Sequence, residues 1–146
     1  MALSRRRSTY AAVAICLVLA ALWYLRDPPW LLSYSSGFHP WEAAIDGRPY
    51  RWTKGHASFF VPSNARRITL PLRSLNESPE DWPITATVTI DDRVADRMTF
   101  RDQEWHELSI RMPDAATRRV RRIDITLDRV RSQLRGVQLG EVVLHR

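Results

Sequence analysis

Cysteine is almost absent from this chain, and that shortage closes off several classes of protein. The lone Cys16 excludes a disulfide framework, a cysteine-based zinc cluster and a CxxC redox pair. Five glycines and nine prolines are too few for a collagen-like or low-complexity chain. The four histidines, His39, His56, His106 and His145, fall in neither HxxxH nor HExxH spacing, and no EF-hand pattern surrounds Asp91, Asp92 and Asp96. No metal and no cofactor is therefore expected. Lysine is nearly missing as well: of 22 basic residues, Lys54 alone is lysine. Such a bias reads as GC-rich codon usage, hence a bacterial chain. Acid is missing from the first 25 residues, which hold Arg5, Arg6 and Arg7. Beyond them stand 19 basic and 16 acidic residues, too even a balance for a nucleic-acid partner. What is present, 45% hydrophobic and 26% charged residues over 146 positions, fits one globular domain.

The amino-terminal segment has a distinct organisation. Arg5 to Arg7 precede an uncharged run from Tyr10 to Leu25, closed by Arg26-Asp27-Pro28-Pro29. As a helix, that run spans ~24 Å, short of a ~30 Å hydrocarbon core. Snorkelling arginines on one side and Trp23-Tyr24 on the other make up the difference. An uncleaved signal anchor is the expectation. The alternatives are a cleaved signal, with Val18-Leu19-Ala20 as a passable site, and a buried soluble helix. Ile15 before Cys16 argues against a lipobox. The positive-inside rule puts the arginines in the cytoplasm and the rest of the chain outside it. The expected organisation is a basic tail over residues 1–9, a transmembrane anchor over 10–25, a linker over 26–37 and an extracytoplasmic domain over 38–146.

From Phe38 onward the apolar pattern has period two. It predicts eight strands: Tyr50 to Thr53, Ala57 to Val61, Arg67 to Leu72, Ile84 to Ile90, Val94 to Phe100, Trp105 to Met112, Arg122 to Leu127 and Val137 to Leu144. In Ile84 to Ile90 (ITATVTI) the apolar residues share one face and the threonines the other. Asp91-Asp92 reads as a two-residue hairpin turn. One apolar and one polar face per strand predicts an all-β, two-sheet antiparallel sandwich of jelly-roll type, preceded by one transmembrane helix. An immunoglobulin-like sandwich is the alternative topology.

GFHPWE (Gly37 to Glu42), YRWT (Tyr50 to Thr53), ASFFVP (Ala57 to Pro62), TVTIDDRV (Thr87 to Val94), WHELSIRMP (Trp105 to Pro113) and LRGVQLGEVVL (Leu134 to Leu144) together form a recognisable pattern. It resembles the extracytoplasmic β-sandwich domain found beside multi-pass segments in some bacterial envelope glycosyltransferase-like membrane proteins. The resemblance implies a galactose-binding-like or carbohydrate-module-like sandwich. This chain differs in having a single apolar segment and no catalytic part.

Six tryptophans supply candidate sugar platforms. Trp82 lies in the acidic loop NESPEDWP, where Glu80 and Asp81 could accept hydrogen bonds from hydroxyls; the alternative is that Trp82 caps the open end of the sandwich. Trp41, beside Glu42, is a second candidate. Tyr50 and Trp52 share a strand face and, like Trp105, read as core. Arg118, Arg119, Arg121 and Arg122 form the densest positive cluster, suited to an acidic glycan or anionic lipid, or else a charged, aggregation-resistant strand edge.

The expected function is non-catalytic: a membrane-anchored accessory or binding module at the cell envelope, with a glycan, membrane lipid and a membrane protein as partners. A structural subunit of a larger membrane complex and an envelope enzyme with an unrecognised site are the alternatives.

Overall fold

The computed structural model describes residues 2–75, 82–114, 118–130 and 135–146. It comprises two compact units, Met1–Leu31 and Leu32–Arg146.

The first unit is a helix, α1 (Ala2–Arg26), followed by a short 3-10 turn at Pro29–Ser33. Alanine and leucine favour the helix, and Pro28 and Pro29 stop it. Its 25 residues span ~37 Å, because helical structure continues through the basic amino-terminal stretch. Val13, Ile15, Leu17, Val18, Leu19, Leu22 and Leu25 are all exposed, so the helix is apolar on every side rather than along one stripe. The stretch Tyr10–Ser33, with mean hydropathy 1.6, is long and apolar enough to cross a membrane. A signal sequence has the same properties.

The second unit contains nine strands among the described residues: β1 (Ser35–Ala43), β2 (Pro49–Pro62), β3 (Arg67–Arg73), β4 (Ile84–Ile90), β5 (Arg93–Phe100), β6 (His106–Arg111), β7 (Val120–Leu127), β8 (Gln138–Gly140) and β9 (Val143–His145). They form one curled antiparallel sheet in the order β5-β4-β7-β2-β8-β3-β6, with β1 on β2 and β9 on β3. The curl brings its halves face to face. Ile84, Ala86, Val88 and Ile90 of β4 and Ile123, Ile125 and Leu127 of β7 join Ile68, Leu70 and Leu72 of β3 and Leu108 and Ile110 of β6 in a single core. The expected sandwich is thus present, its two layers being halves of one hydrogen-bonded sheet.

The joint is β2. Tyr50 to Trp52 pair with β8, and His56 to Pro62 pair with β7. The two strands expected at Tyr50 to Thr53 and Ala57 to Val61 are therefore one. The expected last strand is instead two, because the ladder breaks at Glu141-Val142 between β8 and β9. β1 begins at Ser35, inside the serine-rich stretch read as linker. Gly37 makes that strand possible. Its φ is +72°, and a Cβ there would collide with the His56 carbonyl oxygen. The register shifts at this point, so Gly37 is a bulge that only glycine fits.

Asp91 and Asp92 form the expected hairpin turn, both with positive φ (49° and 67°). Arg121 holds it from β7: one guanidinium nitrogen donates to Asp91 Oδ2 at 2.7 Å and the other to the Asp114 carbonyl at 2.5 Å.

Candidate functional site

Alternation along β2 decides what faces outward. Thr53, Ala57, Phe59 and Val61 are buried against the core. Thr53 earns its place through hydrogen bonds: its hydroxyl donates to the Val137 carbonyl and accepts from the Val137 N–H, both at 3.0 Å. With Thr53 inward, Tyr50 and Trp52 face out. On β8 the buried Leu139 turns Gln138 and Gly140 out; on β3 the buried Leu72 turns Pro71 and Arg73 out.

Strand register assembles these residues into rows. Trp52 stands opposite Gln138, and Gln138 opposite Arg73; in the next row Tyr50 stands opposite Gly140. Gly140 leaves room for its neighbours, since a Cβ there would lie 3.1 Å from Pro71 Cβ and 3.6 Å from the Trp105 ring. The Tyr50 and Trp52 rings meet edge to face with centroids 6.3 Å apart. Arg135 lies 5.5 Å from the Trp52 ring centre, while Arg48 and Arg73 lie 5.6 Å and 5.9 Å from that of Trp105. The outcome is a half-exposed platform of three aromatic rings interleaved with three arginines.

A groove of ≈ 580 Å³ adjoins this platform. Tyr50, Arg73, Leu75 and Gln138 line it on the sheet side, and Ala43 at the end of β1 with residues 44–46 of the following turn complete it, with Ile45 fully exposed. Gln138 is 2% exposed, yet its side-chain oxygen has no partner, and the indole N–H of Trp52 is likewise buried and unsatisfied. Buried polar atoms normally find partners; of these two unsatisfied groups, Gln138 lines the groove and Trp52 stands opposite it on β2. The Tyr50 hydroxyl donates to Glu42 Oε2 at 3.0 Å. Burial first, and then the Glu42 hydrogen bond and charge, raise its pKa against the pull of Arg135 and Arg73, so it remains a donor at neutral pH.

The residues singled out by sequence are dispersed. Trp82 is partly buried and packs against the hydrophobic core. Glu80 and Asp81 lie outside the described residues. Trp41 is 53% exposed on β1, with the Arg51 guanidinium 4.9 Å from its ring centre. Arg121 is buried in the hairpin pairing, and Arg122 pairs with Asp124 (Nε to Oδ2, 2.9 Å) and with Asp92. These two arginines occupy alternate faces of β7, an interior strand between β4 and β2, not an edge. Arg118 and Arg119 precede that strand, and the Arg119 carbonyl accepts from the Ser63 N–H at 2.9 Å.

Tyr50, Trp52 and Trp105 belong to the outer platform instead of the core expected for them. Their signal was the parity of Ala57, Phe59 and Val61, which extended back through an unbroken strand turns Trp52 and Tyr50 outward. Among the described residues no three or more of His, Cys, Asp and Glu gather as a metal site would require.

No protein-family model and no curated protein matches the sequence. Among solved structures, the fold is similar to a family two carbohydrate esterase from Cellvibrio japonicus, at 16% identity and TM-score 0.47, over 77% of this chain and 31% of that one. It is also similar to the CBM36-1 domain of a multidomain xylanase from the hindgut metagenome of Trinervitermes trinervoides, at 9% identity and TM-score 0.40, over 70% of this chain and 86% of that one. A third is the CBM51-2 and INT domains of Clostridium perfringens ZmpB, at 10% identity and TM-score 0.39, over 70% and 25% of the two chains. The chain spans about a third of the esterase's length.

Proposed function

We propose that this chain is a membrane-anchored, non-catalytic glycan-binding module of the bacterial cell envelope. In this reading α1 stays in the cytoplasmic membrane with its arginines inside, and the β body works outside as an accessory to a glycosyltransferase-like or other glycan-handling membrane protein. The observation that carries it is the outer platform with its adjoining groove. Sugar C–H groups stack on the faces of Tyr50, Trp52 and Trp105. The adjoining groove, lined by Tyr50, Asp46 and Arg73, sets polar groups beside the stacked sugar. Arg48, Arg73 and Arg135 favour a glycan that carries carboxylates. The non-catalytic reading is supported by the pairing of the perturbed carboxylates: Asp124 with Arg122, and Asp102 with His106 at 2.7 Å.

The test is affinity electrophoresis of the full chain in detergent through gels containing neutral or acidic envelope polysaccharide. Trp52→Ala and Tyr50→Ala should each weaken retention about tenfold while the chain still unfolds cooperatively. Trp82→Ala should instead lower the melting temperature, because its ring packs on the core. Retention unaltered in both outer-face variants would remove the proposal.

A further inference from the structure

Arg51 occupies the side of β2 opposite the platform. Register sets it beside Leu139 on one neighbour and Trp41 on the other. Its guanidinium carbon is 3.6 Å from the centre of the Phe38 ring and 4.9 Å from that of Trp41. One terminal nitrogen donates to Ser35 Oγ at 3.0 Å. Nε is buried and has no acceptor. Among the described residues Arg51 has no ion-pair partner. Stacked rings satisfy the flat face of a guanidinium but not its in-plane N–H groups, and a partly desolvated cation without a counter-charge is costly. Burial accordingly lowers its pKa.

A cleft of ≈ 260 Å³ opens at this position, lined by Tyr34, Ser35, Trp41, Arg51, Glu141 and Val142 among others. Its remaining wall is largely aliphatic and aromatic, including Phe60 and Leu144. A carboxylate or phosphate oxygen in the cleft would meet the in-plane donors of Arg51, and the half-exposed Trp41 ring would cover an apolar surface of the same molecule. Glu141 is exposed and is not paired with Arg51. Its charge opposes every anion in the cleft, so Arg51 must outweigh it, and a body carrying one oxyanion is opposed less than a polyanion.

We infer that the Arg51 cleft binds a singly placed oxyanion, a carboxylate or a phosphate, on a group whose apolar side lies against Trp41. Two sources offer that chemistry, an acidic sugar and a lipid head group. The site is independent of the outer platform, because Arg51 and Trp52 project from opposite faces of one strand.

The experiment is calorimetric titration of the detergent-solubilised full chain with glucuronate, glucose 1-phosphate and inorganic phosphate, with glucose as the uncharged comparison. The same titrations are run in nanodiscs of phosphatidylcholine with and without phosphatidylglycerol. Saturable binding of an oxyanion, weakened about tenfold or more in Arg51→Gln and absent for glucose, is the expected result. Trp41→Ala, at an exposed position, should weaken the organic anions more than inorganic phosphate. If Arg51→Gln fails to fold, this difference decides the matter. Trp52→Ala should leave all these values unchanged, which separates this site from the outer platform. Loss of oxyanion binding in phosphatidylglycerol discs identifies a lipid head group as the natural occupant; undiminished binding there identifies an acidic sugar. No measurable binding of any oxyanion, or equal binding in wild type and Arg51→Gln, would overturn the inference.

Discussion

Asp124 shows how one side chain ties polar groups together on the outside of the sheet. Its carboxylate accepts from Ser58 at 2.5 Å, from Arg122 Nε at 2.9 Å and from Thr89 at 3.3 Å. Burial works to raise its pKa, but the hydrogen bonds from Ser58 and Arg122, with the charges of Arg122 and His56, bring it below the ordinary value. A carboxyl group depressed on folding contributes stability above its unfolded pKa of ~3.9 and loses it as the pH falls through the folded value. The urea midpoint should therefore drop on acidification below about pH 4, and Asp124→Asn should flatten that limb of the profile. An unchanged acid limb in the variant would contradict the sign. Thr53 makes a different point about legibility. Its hydroxyl is paired twice to Val137, so a residue that reads as polar is fully buried and sets the facing of β2. Read from sequence, the strand ends at Thr53, and the break hides the parity that turns Tyr50 and Trp52 away from the core.

Among elements, the strands whose two faces differ chemically were legible. Ile84 to Ile90 alternates buried and half-buried at every position, as ITATVTI predicts, because that strand lies between β5 and β7 with one side on the core. β1 was illegible for the opposite reason. Its serines, His39 and Pro40 show no alternation, and it joins the sheet through backbone pairing with β2 together with the side chains of Phe38, Trp41 and Glu42. Proline is tolerated there because β1 lies at an edge. Gly37 is the residue on which that strand depends. Gly37→Ala should destabilise the body by at least ~2 kcal/mol, since both the positive φ and the His56 carbonyl oppose a side chain. Chemical denaturation measures this, and a loss below about 0.5 kcal/mol would mean that the bulge is not required.

At the scale of the whole molecule, a helix apolar on all sides precedes a body with its own closed core. If the helix is an anchor, the full chain should remain in the membrane pellet after alkaline carbonate extraction, and protease added to spheroplasts should digest the body. A mature mass lacking the residues through Ala20, or recovery in the cytosolic fraction, would count against anchoring. The sandwich was legible because burial on one side of each strand leaves a repeating signature. The two proposed sites were not, because they depend on register: Gln138 reaches Trp52, and Arg51 reaches Trp41, only once β8 and β1 have been placed against β2.

The margins of the sheet have a consequence of their own. β1 ends the β2 side with a glycine bulge and a proline, β5 presents Arg93, Asp96 and Arg97, β6 presents Glu107 and Arg111 along six residues, and β9 is three residues long. None offers a long, flat ladder of free amides and carbonyls to a second molecule. On the anchored reading proposed above, copies crowded side by side on one bilayer would meet through side chains and would not zip into a shared sheet, so a dense population should not seed fibres.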